Sequence, residues 1–349
     1  METKLVTITD VEKQREHLEE AGRILREGGL VAFPTETVYG LGGDALNPGS
    51  SRKIYAAKGR PSDNPLIVHI CRWEDLAKIA AEIPEAAEKL ARRFWPGPLT
   101  MVLHKSEQVP YETTGGLDTV AVRMPEHPVA LELIRAAGGF VAAPSANTSG
   151  KPSPTLAAHV LEDMNGRIEM ILDGGAVNIG LESTIVDLTS DKPEVLRPGY
   201  ITREMLEEVL GEVETDVTIL SADSGQAPKA PGMKYRHYAP LGELTVVAGE
   251  CRQVTLWINE NLQRHQALGK KTGVICTDET SGGYRADSVK NIGKRDDEAR
   301  IARELYRILR EFDEEQVDII YSEAFDTSGV GQAIMNRLLK AAGHHIEYV

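Results

Sequence analysis

Leu30-Val31-Ala32-Phe33-Pro34-Thr35-Glu36-Thr37 is the stretch from which the fold of this 349-residue chain is read. Four apolar residues run unbroken into a proline, the pattern of a short buried strand rather than one face of a helix. Upstream, Leu18, Ala21 and Leu25 recur at helical spacing behind Asp10, a candidate N-cap, and Gly28-Gly29 stops the helix. Helix, glycine stop and buried strand in succession predict an α/β or α+β first half. The same alternation continues downstream. Short β-rich runs lie at 66–70, 100–103, 119–123, 140–143, 170–172 and 184–188, and helical stretches at 50–57 and 73–93.

Length predicts two domains, or one large one, each able to bury a core of its own. Hydrophobic residues are 41% and charged residues 26% of the chain, the composition of a soluble globular protein. Lys and Arg number 39 against 53 Asp and Glu, a net charge of −14, and both halves are acidic. That balance argues against a broad electrostatic grip on nucleic acid or an anionic membrane, while leaving a local basic pocket open. Every apolar run falls short of the ~20 residues of a membrane helix. The opening Met1-Glu2-Thr3-Lys4 has no signal pattern, so a cytoplasmic protein is expected. Cys71, Cys251 and Cys276 stand singly, which excludes a CxxC motif and predicts buried, small apolar residues. No two histidines share metal-ligand spacing on a helix, so no protein-built metal site is expected.

From about 211 to 240 the character changes. Ser221-Ala222-Asp223-Ser224-Gly225 and Pro228, Pro231 and Pro240 predict a linker. Beyond it, 244–248, 273–276 and 317–321 read as strands, Ile301, Leu305, Ile308, Leu309 and Phe312 share one helical face, and 331–342 reads as a helix. The expected organisation is therefore 1–210, a linker at 211–240, and a smaller Rossmann-like α/β domain at 241–349.

Several segments carry chemistry. Gly40-Leu41-Gly42-Gly43-Asp44-Ala45 fits a dinucleotide fingerprint, with Asp63 about twenty residues on. Asn47-Pro48-Gly49 interrupts the helix that should open on those glycines, which favours a plain glycine turn. Lys58-Gly59-Arg60-Pro61 sets two cations about a glycine, suited either to phosphate oxygens or to a solvated surface loop. Pro34-Thr35-Glu36-Thr37 and Ala143-Pro144-Ser145-Ala146-Asn147 each place polar side chains directly after a buried strand, where a sheet presents its ligands. GxSxG and GxxxxGK[ST] are both absent, which removes the common serine-hydrolase and P-loop readings. Arg123 and Arg197 each close an apolar run and suit a carboxylate or phosphate; His69, between Val68 and Ile70, reads on its own as a hydrogen-bonded core histidine.

Taken in order, Phe33 to Leu41, Lys58-Gly59-Arg60-Pro61, Trp95-Pro96-Gly97-Pro98-Leu99-Thr100, Val122-Arg123-Met124-Pro125, Pro144-Ser145-Ala146-Asn147, Ser183-Thr184-Ile185-Val186-Asp187 and Arg197-Pro198-Gly199 resemble the motif set of the YrdC/Sua5 threonylcarbamoyl-AMP synthases. Pro231-Gly232-Met233-Lys234-Tyr235-Arg236-His237-Tyr238 followed by a small α/β domain is similar to the two-domain Sua5 form. The resemblance implies a YrdC-like twisted mixed sheet with helices. It also implies the reaction of L-threonine, bicarbonate and ATP to L-threonylcarbamoyladenylate and pyrophosphate, toward N6-threonylcarbamoyladenosine at position 37 of tRNAs reading ANN codons.

Position by position, the resemblance implies that Thr37, His69, Arg123, Ala143 and Ser183 surround threonine. Lys58, Arg60, Asn64, Thr119, Ser145, Asn147, Ser153 and Arg197 would surround ATP, which brings its own Mg2+, with Tyr235 or Tyr238 covering the nucleotide. Lys58 and Arg60 are expected on the phosphates, and the linker as lid or passive tether. The implied partners are small substrates and, transiently, a downstream threonylcarbamoyl transferase machinery, without direct tRNA gripping. Two rivals stand beside this reading: a carbamoyltransferase using carbamoyl phosphate, and a non-catalytic RNA-binding module.

Overall fold

The computed structural model describes residues 2–216 and 238–349. The chain divides into two compact units, Met1–Ser149 with Ser153–Tyr235, and Gly150–Pro152 with Arg236–Val349. In the first unit the strands are β1 (Lys4–Thr7), β2 (Val31–Phe33), β3 (Gly40–Asp44), β4 (Ile67–His69), β5 (Leu99–His104), β6 (Thr119–Arg123), β7 (Val141–Ala142), β8 (Met170–Asp173), β9 (Thr184–Asp187), β10 (Glu194–Arg197) and β11 (Glu214–Thr215). Its helices are α1 (Arg15–Arg26), α2 (Pro48–Lys58), α3 (Leu76–Ile79), α4 (Glu85–Phe94), α5 (Tyr111–Thr114), α6 (Pro128–Ala136), α7 (Ala157–Met164) and α8 (Arg203–Leu210). Among the described residues the strands form one mixed sheet in the order β1-β8-β2-β3-β7-β4-β6-β5-β9-β10-β11.

Period-two alternation places helices on both faces of that sheet. Val31 and Phe33 pack with Leu18, Ala21 and Leu25 of α1 and Leu133 and Ile134 of α6. Leu30 and Ala32 turn the other way, toward Ile54 of α2, Leu90 of α4 and Val160 of α7. The α1 and α6 layer lies over β8, β2 and β7. On the same face, β4, β6, β5, β9 and β10 instead carry a small apolar patch of Ile67, Ala121, Val102, Ile185 and Leu196.

Local chemistry explains where the sequence reading is corrected. Gly40–Asp44 is a strand, not a turn, paired with β2 and β7. A Cβ at Gly42 would stand 2.9 Å from Val141 and 3.0 Å from Phe33, so glycine there permits the close pairing. Asn47-Pro48-Gly49 starts α2: the Asn47 side chain accepts from the Gly49 N–H at 2.8 Å, and Pro48 occupies the first turn. Asp10 caps a preceding turn through the N–H groups of Glu12 and Lys13, and α1 opens five residues on, behind Gln14. The expected helix at 73–93 is broken, because Ala80 bridges to Lys105 and Pro84 takes an extended conformation before α4. Thr215 pairs with Val195, which draws the first residues of the compositional linker into the sheet as β11. Of the cysteines only Cys276 is buried; Cys71 is half-buried and Cys251 exposed at a helix start.

The second unit contains β12 (Glu243–Ala248), α9 (Cys251–Ala267), β13 (Thr272–Cys276), β14 (Ser288–Asn291), α10 (Glu298–Glu314), β15 (Ile319–Glu323), α11 (Gly329–Ala341) and β16 (Ile346–Tyr348). Its sheet, ordered β14-β13-β15-β12-β16, is parallel at every pairing, as a Rossmann-like unit requires. Ile301, Leu305, Ile308, Leu309 and Phe312 are all buried on α10. Among the described residues no helix is long and apolar enough to cross a membrane.

Candidate active site

Alternation along β6 builds both the floor and the rim of the site. Val120 and Val122 enter the core beneath α2 and α4, so Thr119, Ala121 and Arg123 face the opposite side. Register with the neighbouring strands then does the assembly. His69 of β4 and Thr100 of β5 both pair with Arg123, and Ile67 and Val102 both pair with Ala121. Three polar residues from distant parts of the chain thus stand in one row beside an apolar patch.

Arg123 is 4% exposed. Its Nη1 donates to the Thr37 hydroxyl at 2.9 Å, and its Nη2 lies 2.6 Å from Oε1 of Glu36. The loop that offers these partners is rigid. Thr35 Oγ1 accepts from the N–H groups of Thr37 and Val38, stands 2.8 Å from the Thr37 hydroxyl, and donates to the Val38 carbonyl at 2.7 Å. The carbonyls of Glu36 and Thr37 accept from the N–H groups of Ile179 and Gly180.

His69 is buried against the edge of Phe33, with ring centroids 6.1 Å apart. Its Nδ1 sits 3.1 Å from the Ile67 carbonyl, an acceptor that requires the proton on Nδ1. Burial, and then the charge of Arg123, push its pKa down to about 3, outweighing the backbone carbonyls of Ile67 and Val141. His69 is therefore a neutral, oriented ring. The row continues beyond Thr100, whose Oγ1 is 2.8 Å from the Ser183 hydroxyl. Arg197, 5% exposed, donates through Nη2 to Ser183 Oγ at 3.1 Å and through Nε to the Ser183 carbonyl at 3.0 Å.

A second cluster gathers at the end of α2. Gly59 adopts φ +65°, the left-handed turn that ends the helix directly after Lys58. Lys58, 2% exposed, donates to the carbonyls of Ser145 and Asn147 at 2.5 and 2.6 Å and lies 3.4 Å from Asn147 Oδ1. Ser145 Oγ donates to Asn147 Oδ1 at 2.6 Å, and the Ser149 N–H returns to the Lys58 carbonyl. Lys58 thus anchors the 145–149 loop, a task additional to the phosphate contact that the resemblance implies.

Arg60 is half-buried, with Nε on the Asn64 carbonyl at 3.3 Å and Nη2 on the Pro65 carbonyl at 3.1 Å. Asn64 is fully buried, and among the described residues neither its amide nitrogen nor its amide oxygen has a hydrogen-bond partner. Such a group has hydrogen-bonding capacity to spare. Tyr39 donates its N–H to the Pro154 carbonyl, and its own carbonyl accepts from Ala146, so the 143–147 and 153–155 segments run beside the Thr37 loop.

The remaining expected residues fall as follows. The Ala143 N–H donates to the Ile67 carbonyl at 2.9 Å, at the end of β7. Ser153 is buried and donates to Glu182 at 2.5 Å. Thr119 shares the face of Arg123 but stands four residues off, roughly 13 Å along the strand. Tyr238 belongs to the second unit, its ring 5.2 Å from that of Tyr306; Tyr235 lies outside the described residues. Sequence reasoning gave no role to Glu36, Thr100 or Glu182. The signal for the first two was present, since both sit inside quoted motifs; their pairing with Arg123 and Ser183 depends on strand register. Among the described residues no three His, Cys, Asp or Glu side chains stand together to hold a metal ion.

A mixed sheet in this strand order with helices on both faces is the YrdC-like α/β fold. The chain belongs to the Sua5/YciO/YrdC family: the model of that family, described as telomere recombination, matches residues 23–199, and the model of the threonylcarbamoyl-AMP synthase C-terminal domain matches residues 201–343. It is 53% identical to the threonylcarbamoyl-AMP synthase of Pyrococcus abyssi, over 95% of this chain and 97% of the relative. Identity to the threonylcarbamoyl-AMP synthase of Bacillus subtilis is 48%, over 99% of each. Among solved structures, P. abyssi Sua5 complexed with L-threonine superposes with a TM-score of 0.93 at 50% identity, covering 100% of both chains.

Proposed function

We propose that this protein is an L-threonylcarbamoyladenylate synthase, joining L-threonine, bicarbonate and ATP into threonylcarbamoyl-AMP with release of pyrophosphate and water. The observation that carries the reading is the row from Arg123 through Thr100 and Ser183 to Arg197, which buries two guanidinium groups on one sheet face. Arg123 has Glu36 as a neighbouring anion and keeps donors without an aligned acceptor, which an amino-acid carboxylate can take, while a nucleotide phosphate matches the charge of Arg197. Relatives matched over nearly their whole length carry the synthase name, which supports the same reading.

Arg123 takes the threonine carboxylate, with Thr37, neutral His69, Ala143 and Ser183 about the rest of the molecule. Arg60, Asn64, Ser145, Asn147, Ser153, Thr119 and Arg197 receive ATP, which enters with Mg2+ as part of the substrate, and Lys58 holds the loop that presents Ser145 and Asn147. The threonine ammonium gives up a proton, and its nitrogen forms a bond to the bicarbonate carbon as a C–O bond of bicarbonate breaks and water leaves. A carbamate oxygen then attacks the α-phosphorus, and the bond to pyrophosphate breaks. Much of the enzyme's task is positioning, with cations set where charge gathers on the leaving pyrophosphate. The adenylate passes transiently to a threonylcarbamoyl transferase in the cytoplasm for modification of tRNA, and strong direct tRNA binding is not expected of this acidic chain.

Pyrophosphate release from ATP, with and without L-threonine and bicarbonate, is the deciding assay. Release that requires both, with threonylcarbamoyl-AMP detected by mass spectrometry, is the expected result. Threonine-independent release, or none, overturns the reading.

A further inference from the structure

Glu36 is the buried charge that this scheme leaves without a task. It is 4% exposed, and among the described residues neither carboxylate oxygen makes an aligned hydrogen bond. Among the described residues its ion-pair partner is Arg123, with His127 also facing it, and the Arg123 guanidinium is shared: Nη1 is committed to Thr37, while Nε and Nη2 have no aligned acceptor. Pairing between Glu36 and Arg123 is therefore a contact of charges, with bonding capacity left over on both partners. The main chain that carries Glu36 is held, because the Glu36 and Thr37 carbonyls accept from Ile179 and Gly180 and the 35–38 turn is closed on Thr35 Oγ1.

A guanidinium and a carboxylate fixed side by side, each short of partners, complement an α-amino acid zwitterion, whose carboxylate and ammonium are separated by one carbon. We propose that Glu36 contacts the substrate and accepts hydrogen bonds from its α-ammonium while Arg123 receives its carboxylate, so that the pair selects an α-amino acid over the corresponding hydroxy acid. The inference rests on threonine being the substrate. Glu36 then acts as a specificity-determining residue at the binding step, before the ammonium gives up the proton that frees its lone pair for the carbamate bond.

The test is direct titration of L-threonine and of its hydroxy acid analogue, in which a hydroxyl replaces the α-ammonium, into the full-length protein. The readout is the ratio of the two dissociation constants. Wild type should prefer threonine by on the order of tenfold to a hundredfold, the range for a charge-assisted hydrogen bond. Glu36→Gln should bring the ratio to within a few-fold of unity. Glu36→Asp, which keeps the charge but withdraws it, should narrow the ratio and serves if the glutamine variant does not fold. A residue that merely braced Arg123 would weaken both ligands alike, since both carry the carboxylate; an unchanged ratio in the folded variants overturns the proposal. Wild-type pyrophosphate release is measured separately, so failure of the synthase reading shows there and not in the ratio.

Discussion

Arg197 holds Ser183 by two atoms at once, Nη2 on the hydroxyl at 3.1 Å and Nε on the carbonyl at 3.0 Å. A forked guanidinium at the end of β10 thereby fixes the residue that enters β9, and the Ser183 hydroxyl passes the constraint on to Thr100. Lysine keeps the charge but lacks the fork. Arg197→Lys should lower kcat/KM for ATP by roughly thirty- to a hundredfold, about 2–3 kcal/mol of lost charge-assisted bonding. Pyrophosphate release against ATP at saturating threonine measures this, and a value within threefold of wild type would show that charge alone suffices.

Lys58 is predicted to matter for stability as well as for turnover. Replacing it with methionine preserves most of the apolar stem and leaves the buried carbonyls of Ser145 and Asn147 without their ammonium donor. Orphaned buried acceptors cost about 1–3 kcal/mol each. Lys58→Met should therefore lower the melting temperature by several degrees and weaken ATP binding, both readable by calorimetry. An unchanged melting temperature with lost ATP binding would assign Lys58 to the ligand alone.

Asn64 should behave in the opposite way. Its amide is buried with both polar atoms unpartnered among the described residues, so it contributes no internal hydrogen bond through its side chain. Asn64→Leu keeps the branched skeleton and removes the unsatisfied atoms, while its methyl groups are larger than the amide they replace, so the two effects offset and the melting temperature should change little. The KM for ATP should rise by on the order of tenfold, the loss of one hydrogen-bonding group to the ligand. A drop in melting temperature would place Asn64 in the scaffold.

The state of His69 gives a pH prediction with a definite sign. Its folded pKa is depressed to about 3 from an ordinary value of 6.5, chiefly by burial and then by Arg123. The unfolded chain binds the extra proton first, so this residue's contribution to stability is fully present above pH 6.5 and is lost progressively as pH falls toward 3. Denaturant titrations across that window should show His69→Gln with a flatter acid limb than wild type. Equal slopes would mean that His69 titrates normally.

Much of the site was legible because its residues follow strands that announce themselves. Thr119 to Arg123 reads as a strand from its β-branched alternation, and its bounds are those of β6. The α10 face of Ile301, Leu305 and Phe312 was equally plain from its spacing. Asn47-Pro48-Gly49 was misread as an interruption because a cap and a break use the same residues, and only the Asn47 to Gly49 hydrogen bond separates them. Glu36 carried no role in the sequence because its importance lies in the distance to Arg123, a residue far along the chain.

Local chemistry written in the sequence determined which segments are strands and helices, and it carried the motifs by which the chain resembles its family. Register decided the rest. A residue's neighbours along a strand are covalent facts, but its neighbours across a sheet are chosen by the burial of whole faces, so one row holding His69, Arg123 and Thr100 exists only after folding. The anchoring of Lys58 and the shared charge of Glu36 and Arg123 are consequences of that packing, because interactions between buried ions depend on separation and solvent exclusion, which residue order does not fix.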